Sequence, residues 1–322
     1  MSGGPKMTPA AHPIATTRRD ALIGAACLCC LPLVGRAREA LGVVEAAPGV
    51  FVRRGPDEEA TAGNLGGIAN IGFVIGRDAV LVTDPGGSLA DGAWLRGEIR
   101  ARTDRPIRHV VMSHVHPDHA FGAGAFLGDG PEFVGHFRLA DELTARGEFY
   151  RERLVELVGE ADAGPVVMPT HVVGEEGATI DLGGRRLELR AHPAAHTRSD
   201  LSMLDREAGL LFPADLLFVG RMPSLDGSLA GWIGELDALE ATGARSAVPG
   251  HGPALVEPAA ALAPLRRYLT TLRDDVRRAI SEGRSIPETV EVAAMSERGD
   301  WALFDDYNGR NVTQAYKELE WE

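Results

Sequence analysis

The sequence predicts an α/β protein in which two β-sheets pack face to face and helices cover their outer sides. Three observations support this prediction. Short apolar segments with strand character are bounded by turn residues, longer segments with helical periodicity separate them, and this arrangement occurs once in each half of the chain. The chain has 322 residues, of which 44% are hydrophobic and 25% charged, so it is long enough to bury a large core.

In the first half, a strand at 49–53 is followed by a hairpin whose strands span 70–75 and 79–83. Ser88 is predicted to cap a helix that extends to about residue 102, because a serine hydroxyl can accept from the free amides of a first helical turn. An apolar strand at 107–112 follows. A hairpin joined to strand–helix steps, when repeated in the second half, predicts two sheets packed face to face with helices outside.

The second half repeats this order. A helix is predicted at 229–241, and a longer helix at 258–282 carries apolar residues at near-helical spacing. The ending from residue 299 is rich in aromatic residues, which we expect to pack onto the core rather than to bind a cofactor. Short strands are predicted near 179–182, 185–190, 201–204, 210–212 and 247–248.

The N-terminal segment has the features of an export signal. Two consecutive arginines precede an apolar run at 21–34, and Ala37 stands where signal peptidase would cleave. The arginine pair is typical of the twin-arginine route. We therefore predict a removable signal at 1–37, a single domain at 38–322 and a location in the periplasm or outside the cell. A retained membrane anchor is the alternative, but the run is shorter than the ~20 residues of a bilayer span.

Charge and cysteine content narrow the classes of function. The net charge of −13 at pH 7 argues against nucleic acid as a partner, because phosphate contacts require clustered lysine and arginine. All three cysteines lie inside the predicted signal, at positions 27, 29 and 30. After cleavage, the chain would have no thiolate to serve as nucleophile or metal ligand and no stable membrane span.

The segment from His114 to His119 reads His-Val-His-Pro-Asp-His and directly follows the strand at 107–112. In an extended segment, His114 and His116 point to the same side, so both imidazoles can reach one metal ion. The proline then bends the chain, and Asp118 with His119 can face a second ion beside the first. The alternative is a solvated polar turn, but a short loop offers too few backbone partners for so many polar groups.

Three further candidate ligands lie downstream, each near the end of an apolar strand. His196 follows the strand at 185–190, and Asp215 stands in an otherwise apolar segment where a lone buried carboxylate would be unfavourable. His251 lies between two glycines, which allow the backbone to approach a site closely. Each residue alone has a structural explanation. In this order behind the first motif, they predict a site for two metal ions.

The pattern His-x-His-x-Asp-His, then His, Asp and His, resembles the metallo-β-lactamase superfamily of metallohydrolases over nearly all of 49–256. The resemblance implies an α/β fold of the αββα sandwich type with the metal ions at the loop ends of the sheets. It implies that His114, His116 and His196 bind one ion and that Asp118, His119 and His251 bind the other. Asp215 would bridge both, as in glyoxalase II and the lactonases, whereas true β-lactamases lack this aspartate.

The flanking segments resemble a narrower group, the quinoprotein relay system zinc metallohydrolases, also called SoxH-related. This similarity is carried by 69–74, 226–229, 301–307 and 320–322 together with the export signal. It implies a periplasmic setting of quinoprotein or sulfur oxidation and a possible association with a quinoprotein dehydrogenase. It implies no particular substrate.

The resemblance also implies the chemistry. Two Zn²⁺ ions per chain, with iron or manganese as alternatives, would supply a metal-bound hydroxide that attacks an ester, thioester, lactone or amide bond. Asp118 is the candidate catalytic residue that orients the hydroxide or carries its proton. Asp84 is a candidate to orient a ligand histidine, the alternative being a carboxylate in a tight turn. Arg221 is a candidate clamp for an anionic small-molecule substrate, the alternative being a solvated loop arginine.

Two other functions compete with a hydrolase. One is a persulfide dioxygenase-like oxidoreductase with a single iron held by His114, His116 or their neighbours. The other is a non-enzymatic periplasmic accessory that binds a quinone cofactor or a dehydrogenase. The complete ligand set for two ions favours the hydrolase.

Overall fold

The computed structural model describes residues 1–4 and 42–322, and the predicted export signal lies almost entirely outside them. Leu41–Glu322 forms one compact unit. Its strands form a seven-stranded sheet with the order β1 to β7 and a five-stranded sheet with the order β12-β11-β10-β9-β8. The first sheet consists of β1 (Val43–Ala47), β2 (Val50–Arg53), β3 (Ile71–Ile75), β4 (Val80–Thr83), β5 (Ile107–Met112), β6 (Glu132–His136) and β7 (His171–Val173). The second consists of β8 (Ala178–Asp181), β9 (Arg186–Ala191), β10 (Leu201–Asp205), β11 (Leu210–Phe218) and β12 (Ser246–His251).

The described α-helices follow or connect these strands. Ser88 caps α1 by accepting from the backbone amide of Asp91, as predicted. None of the described helices is long and apolar enough to cross a membrane. The helices are α1 (Leu89–Arg100), α2 (Pro117–Ala120), α3 (Leu139–Val158), α4 (Glu160–Ala163), α5 (Leu229–Glu240), α6 (Pro258–Ser281), α7 (Ile286–Val290) and α8 (Phe304–Leu319).

Apolar side chains from both sheets meet in one buried layer. Leu81 and Val111 of the first sheet belong to the same cluster as Leu189 and Phe212 of the second. The outer face of the first sheet packs against α1 in a second cluster, and the outer face of the second sheet packs against α5, α6 and α8 in a third. The order of layers is helix, sheet, sheet, helix, which confirms the predicted αββα sandwich.

The strand β11 is longer than the sequence predicts. The predicted strand ended at residue 212, directly before Pro213, which lacks an amide for a central ladder. In the structure, β11 continues to Phe218, and its parallel register with β12 shifts on both sides of Ala214, which adopts a φ of 48°. This bulge accommodates Pro213 and turns Asp215, the residue after Ala214, towards the loop ends of the sheets.

Other elements differ in ways that bear on the cavity described below. The sequence did not predict α3, β6 or β7. The aromatic ending folds into α8, and its buried Trp301 and Phe304 belong to the same cluster as α6. Trp321, in contrast, is 84% exposed and does not pack on the core.

Candidate metal centre

The first three candidate ligands meet at the carboxyl end of β5. His114 follows that strand, His116 lies two residues further, and His196 comes from the loop between β9 and β10. The inner nitrogen of His116, Nδ1, lies 3.1 Å from Nε2 of His114 and 3.0 Å from Nε2 of His196. The two Nε2 atoms of His114 and His196 are 3.3 Å apart. Three nitrogen atoms thus converge on one point.

These separations fit a metal ion better than hydrogen bonds. The outer nitrogen of His196, Nδ1, lies 2.6 Å from the carbonyl oxygen of Ser224, which only accepts, so Nδ1 carries the hydrogen. The outer nitrogen of His116 faces the Asp226 carboxylate at 3.0 Å in the same way. The inner nitrogens therefore hold lone pairs that repel one another. Ligands of one tetrahedral zinc ion at ~2.05 Å would lie roughly 3.3 Å apart, close to the spacing found here.

A second group lies beside the first. Asp118 and His119 belong to the short helix α2, and His251 ends β12. The Nε2 atom of His251 is 3.2 Å from Oδ2 of Asp118, and Nε2 of His119 is 3.7 Å from the same oxygen. One potential ligand atom from each of the three residues lies within 4.8 Å of the others.

Asp215 reaches both groups. Its Oδ2 lies 3.3 Å from Nε2 of His196 and 3.5 Å from Nε2 of His251, while Oδ1 lies 2.9 Å from Nε2 of His119. The Asp215 carboxylate is 4% exposed, and Oδ1 and His119 Nε2 are both buried without a hydrogen-bond partner. Buried polar atoms in proteins are almost always paired, so two buried atoms that lie 2.9 Å apart and yet make no hydrogen bond fit the ligands of a shared cation.

Asp84 holds two of the candidate ligands in orientation. Its Oδ2 lies 2.8 Å from Nδ1 of His119 and accepts from Oγ of Ser113 at 2.9 Å. The Ser113 hydroxyl in turn lies 3.0 Å from Nδ1 of His114. The backbone at Asp84 has a φ of 56°, which is rare for a residue other than glycine. This geometry agrees with the orienting role that the sequence suggested for Asp84.

Burial and charge act in opposite directions within the cluster. Burial lowers the pKa of His196 to about 3 and that of His114 well below its usual value. Burial also acts to lower the pKa of His119, but the carboxylates of Asp215 and Asp118 outweigh it and raise this pKa. The first group therefore offers imidazoles with free lone pairs, and the second offers carboxylates that attract positive charge. Two divalent ions require both kinds of ligand.

Arg221 lies in the wall of the cavity but differs from the predicted free clamp. Its side chain is 4% exposed, and the guanidinium lies 3.1 Å from Nδ1 of His251. It also donates to the hydroxyl of Tyr307 at 3.2 Å and to the carbonyl of Glu58 at 3.3 Å. The two terminal nitrogens of the guanidinium thus contact protein groups, one of which, Tyr307, lies 86 positions later in the chain. Arg221 is therefore a supporting residue beside His251 and not a solvated one.

A cavity of about 740 Å³ opens onto the cluster. Asp118, His116, Asp215 and His251 form part of its wall. Sequence reasoning missed the rest of the wall, because it described the ending from residue 299 only as an aromatic-rich segment that packs on the core. The remaining polar and aromatic wall residues include Tyr150 of α3, Asp226, and Tyr307, Arg310, Thr313, Gln314 and Lys317 of α8.

Two other buried histidines, His136 and His192, lie outside the cluster. Nε2 of His136 donates to the carbonyl of His192 at 3.0 Å. His192 lies between Glu235 and Ser202, at 2.6 Å and 2.7 Å from its two ring nitrogens. These partners satisfy both buried rings.

Comparison with known proteins places this geometry in a family. Residues 65–251 match the family model described as the metallo-beta-lactamase superfamily. The acyl-coenzyme A thioesterase MBLAC2 of Bos taurus is 28% identical over 191 residues, and the same thioesterase of Gallus gallus is 30% identical over 188 residues. Each alignment covers 52% of this chain, and the chain spans 62% of the length of these relatives.

Solved structures with low sequence identity share the fold. A metallo-beta-lactamase from Pontibacter korlensis is 18% identical with a TM-score of 0.58, covering 71% of this chain and 99% of that one. The stereoselective inverting sec-alkylsulfatase Pisa1 from Pseudomonas sp. is 15% identical with a TM-score of 0.66, covering 86% and 50% respectively. The family match and the thioesterase names of the relatives support a hydrolase. With the matched region covering more than half of the sequence and containing all seven clustered residues, the chain belongs to the metallo-beta-lactamase superfamily.

Proposed function

We propose that this protein is a hydrolase with two zinc ions that cleaves a thioester or a related ester, lactone or amide bond. His114, His116 and His196 would hold one ion, and Asp118, His119 and His251 the other. The observation that carries the proposal is the position of Asp215, whose two oxygens reach both groups of histidines. A thioester ranks first because the curated relatives are named acyl-coenzyme A thioesterases.

A divalent ion in such a site lowers the pKa of a bound water towards ~7 and polarises a carbonyl oxygen. The protein's own part is to position the reactants. The carboxylate of Asp118 is 15% exposed and faces the cavity, so it can accept a hydrogen bond from the attacking water. It can take up the proton that this water loses on attack and deliver it to the leaving thiolate or alkoxide. Asp84 and Ser113 keep His119 and His114 in orientation during this exchange.

We further propose that the protein acts outside the cytoplasm, in the periplasmic quinoprotein or sulfur oxidation setting that the narrower resemblance implies. The proposed location rests on the sequence of the predicted signal. A persulfide dioxygenase with one iron is less well supported, because it assigns no role to the second group of Asp118, His119 and His251. A purely accessory role likewise leaves a catalytic-type cavity unexplained.

Metal analysis combined with a substrate panel tests the proposal. The purified protein should contain two equivalents of metal and hydrolyse thioesters in preference to lactones and β-lactams, without consuming oxygen when given a persulfide. Asp215→Asn should retain fewer than two equivalents and lose activity by roughly 100-fold or more, because the shared ligand is gone. Asp205→Asn is the matched control, since Asp205 is also buried but pairs with Arg185 outside the cluster. Two equivalents in Asp215→Asn, or iron-dependent oxygen uptake, would contradict the proposal.

A further inference from the structure

The cavity wall has a part that the chemistry at the metal centre does not use. Tyr307, Arg310, Gln314 and Lys317 of α8 line the same cavity as the candidate ligands. Their spacing of three or four residues places them on one face of the helix. The cavity, at about 740 Å³, is much larger than a small ester needs and matches the size of sites that enclose extended ligands.

The charges in this wall are not balanced. Asp226 pairs with Arg146, whose guanidinium donates to its carboxylate at 2.5 Å. Arg221 is occupied by the contacts described above. Arg310 and Lys317 are exposed, and neither has a carboxylate within ion-pairing distance among residues 1–4 and 42–322. Most other arginines in that part of the chain are ion-paired, as expected for a protein with net charge −13. Two unpaired cations in one cavity are therefore available to a ligand.

The rise of α8 separates these two cations along the cavity wall. Tyr307 begins the wall and is tied to His251 through Arg221. An α-helix rises about 1.5 Å per residue, so Arg310 lies roughly 4.5 Å and Lys317 roughly 15 Å further along the helix. A ligand group bound near Lys317 would therefore be displaced along α8 from the end that contacts Arg221 and His251, as the distant end of an extended substrate would be.

We infer that the Arg310–Lys317 face of α8 binds the anionic end of an extended substrate, a phosphate or a carboxylate, while the scissile bond lies at the metal centre. Arg310 also stacks on the ring of Tyr307, with its guanidinium carbon 5.6 Å from the ring centre, which fixes its side chain at the cavity edge. This inference rests on the proposed hydrolase function and names the substrate class for that site. It assigns anion binding to Arg310 and Lys317, where the sequence had suggested Arg221.

Equilibrium binding of product-like thiols tests the inference without any turnover. Coenzyme A carries phosphates that pantetheine lacks, although both present the same thiol arm, and glutathione carries carboxylates. Titration calorimetry on the metal-loaded protein should give a Kd for coenzyme A or for glutathione about 10- to 100-fold lower than for pantetheine, the usual range for one or two charge-assisted contacts. A preference for coenzyme A identifies a phosphate, and a preference for glutathione identifies a carboxylate.

Variants localise the effect. Arg310→Gln and Lys317→Gln should each reduce this preference, and the double variant should abolish it, whereas Lys317→Arg should restore most of it. Arg108→Gln removes one charge from an arginine that lines no part of the cavity and should keep the full preference. Equal affinities for all three thiols, or a preference that survives in the double variant, would overturn the inference. If the preference exists but no thioester is hydrolysed, the proposed function fails and the anion site stands.

Discussion

Replacing Gly250 with alanine should damage the metal centre through a single methyl group. Gly250 lies in β12 beside the bulge of β11, and a Cβ at this position would come 1.9 Å from Oδ1 of Asp215 and 2.8 Å from the carbonyl carbon of Ala214. A carbon and an oxygen in contact need about 3.2 Å, so the Asp215 carboxylate must move by roughly 1.3 Å. Gly250 has no positive φ, so backbone strain adds nothing to this effect.

A displacement of that size exceeds what metal coordination tolerates, since ligand distances vary by only about 0.2 Å. We expect Gly250→Ala to lose at least one equivalent of metal and about 100-fold in kcat/KM for a thioester. Mass spectrometry of the dialysed protein measures the metal, and a thiol-release assay measures the rate. Gly234→Ala is the control, because a Cβ at Gly234 in α5 meets nothing within 4 Å. A Gly250→Ala protein with two equivalents and normal activity would refute the close approach of β12 to Asp215.

Three further predictions concern other residues. Burial raises the pKa of Asp200 to about 7, so the folded protein holds a proton there that the unfolded chain releases near pH 4. The contribution of this group to the free energy of unfolding therefore falls as the pH rises from about 4 to 7. In calorimetric scans over that range, the Tm of Asp200→Asn should rise relative to that of the wild type. Arg221→Ala should lower the free energy of unfolding by roughly 2–4 kcal/mol in denaturant titrations, because the buried contacts to His251 and Tyr307 disappear. It should also reduce kcat/KM for anionic and neutral thioesters alike. A loss confined to anionic thioesters would instead show that Arg221 binds the anionic group of the substrate. Intact-mass measurement of the exported protein should show a chain beginning after Ala37, and a mass that retains the three cysteines would contradict cleavage there.

Local patterns in the sequence predict the sandwich and bring out the candidate ligands. Three histidines and an aspartate after one apolar strand are visible without any structure, because strand ends and ligand spacing are local features. The bulge at Ala214 was not predictable, since Pro213 argues against a strand unless the register of both neighbours is known. The contacts of Arg221 were not predictable, because they depend on Tyr307, which only tertiary folding brings to it. The cavity wall on α8 was missed for the same reason.

The division of the cavity between two stretches of chain has a consequence for how such proteins diverge. The region shared with the superfamily ends at His251, whereas α7 and α8 add their part of the wall from Val290 onwards. Substitutions on these late helices can therefore change what is bound while every candidate ligand stays in place. Two proteins that descend from one ancestor can keep the same metal ligands and differ in substrate specificity. During synthesis, too, the ligand set emerges from the ribosome more than fifty residues ahead of the helix that completes its enclosure.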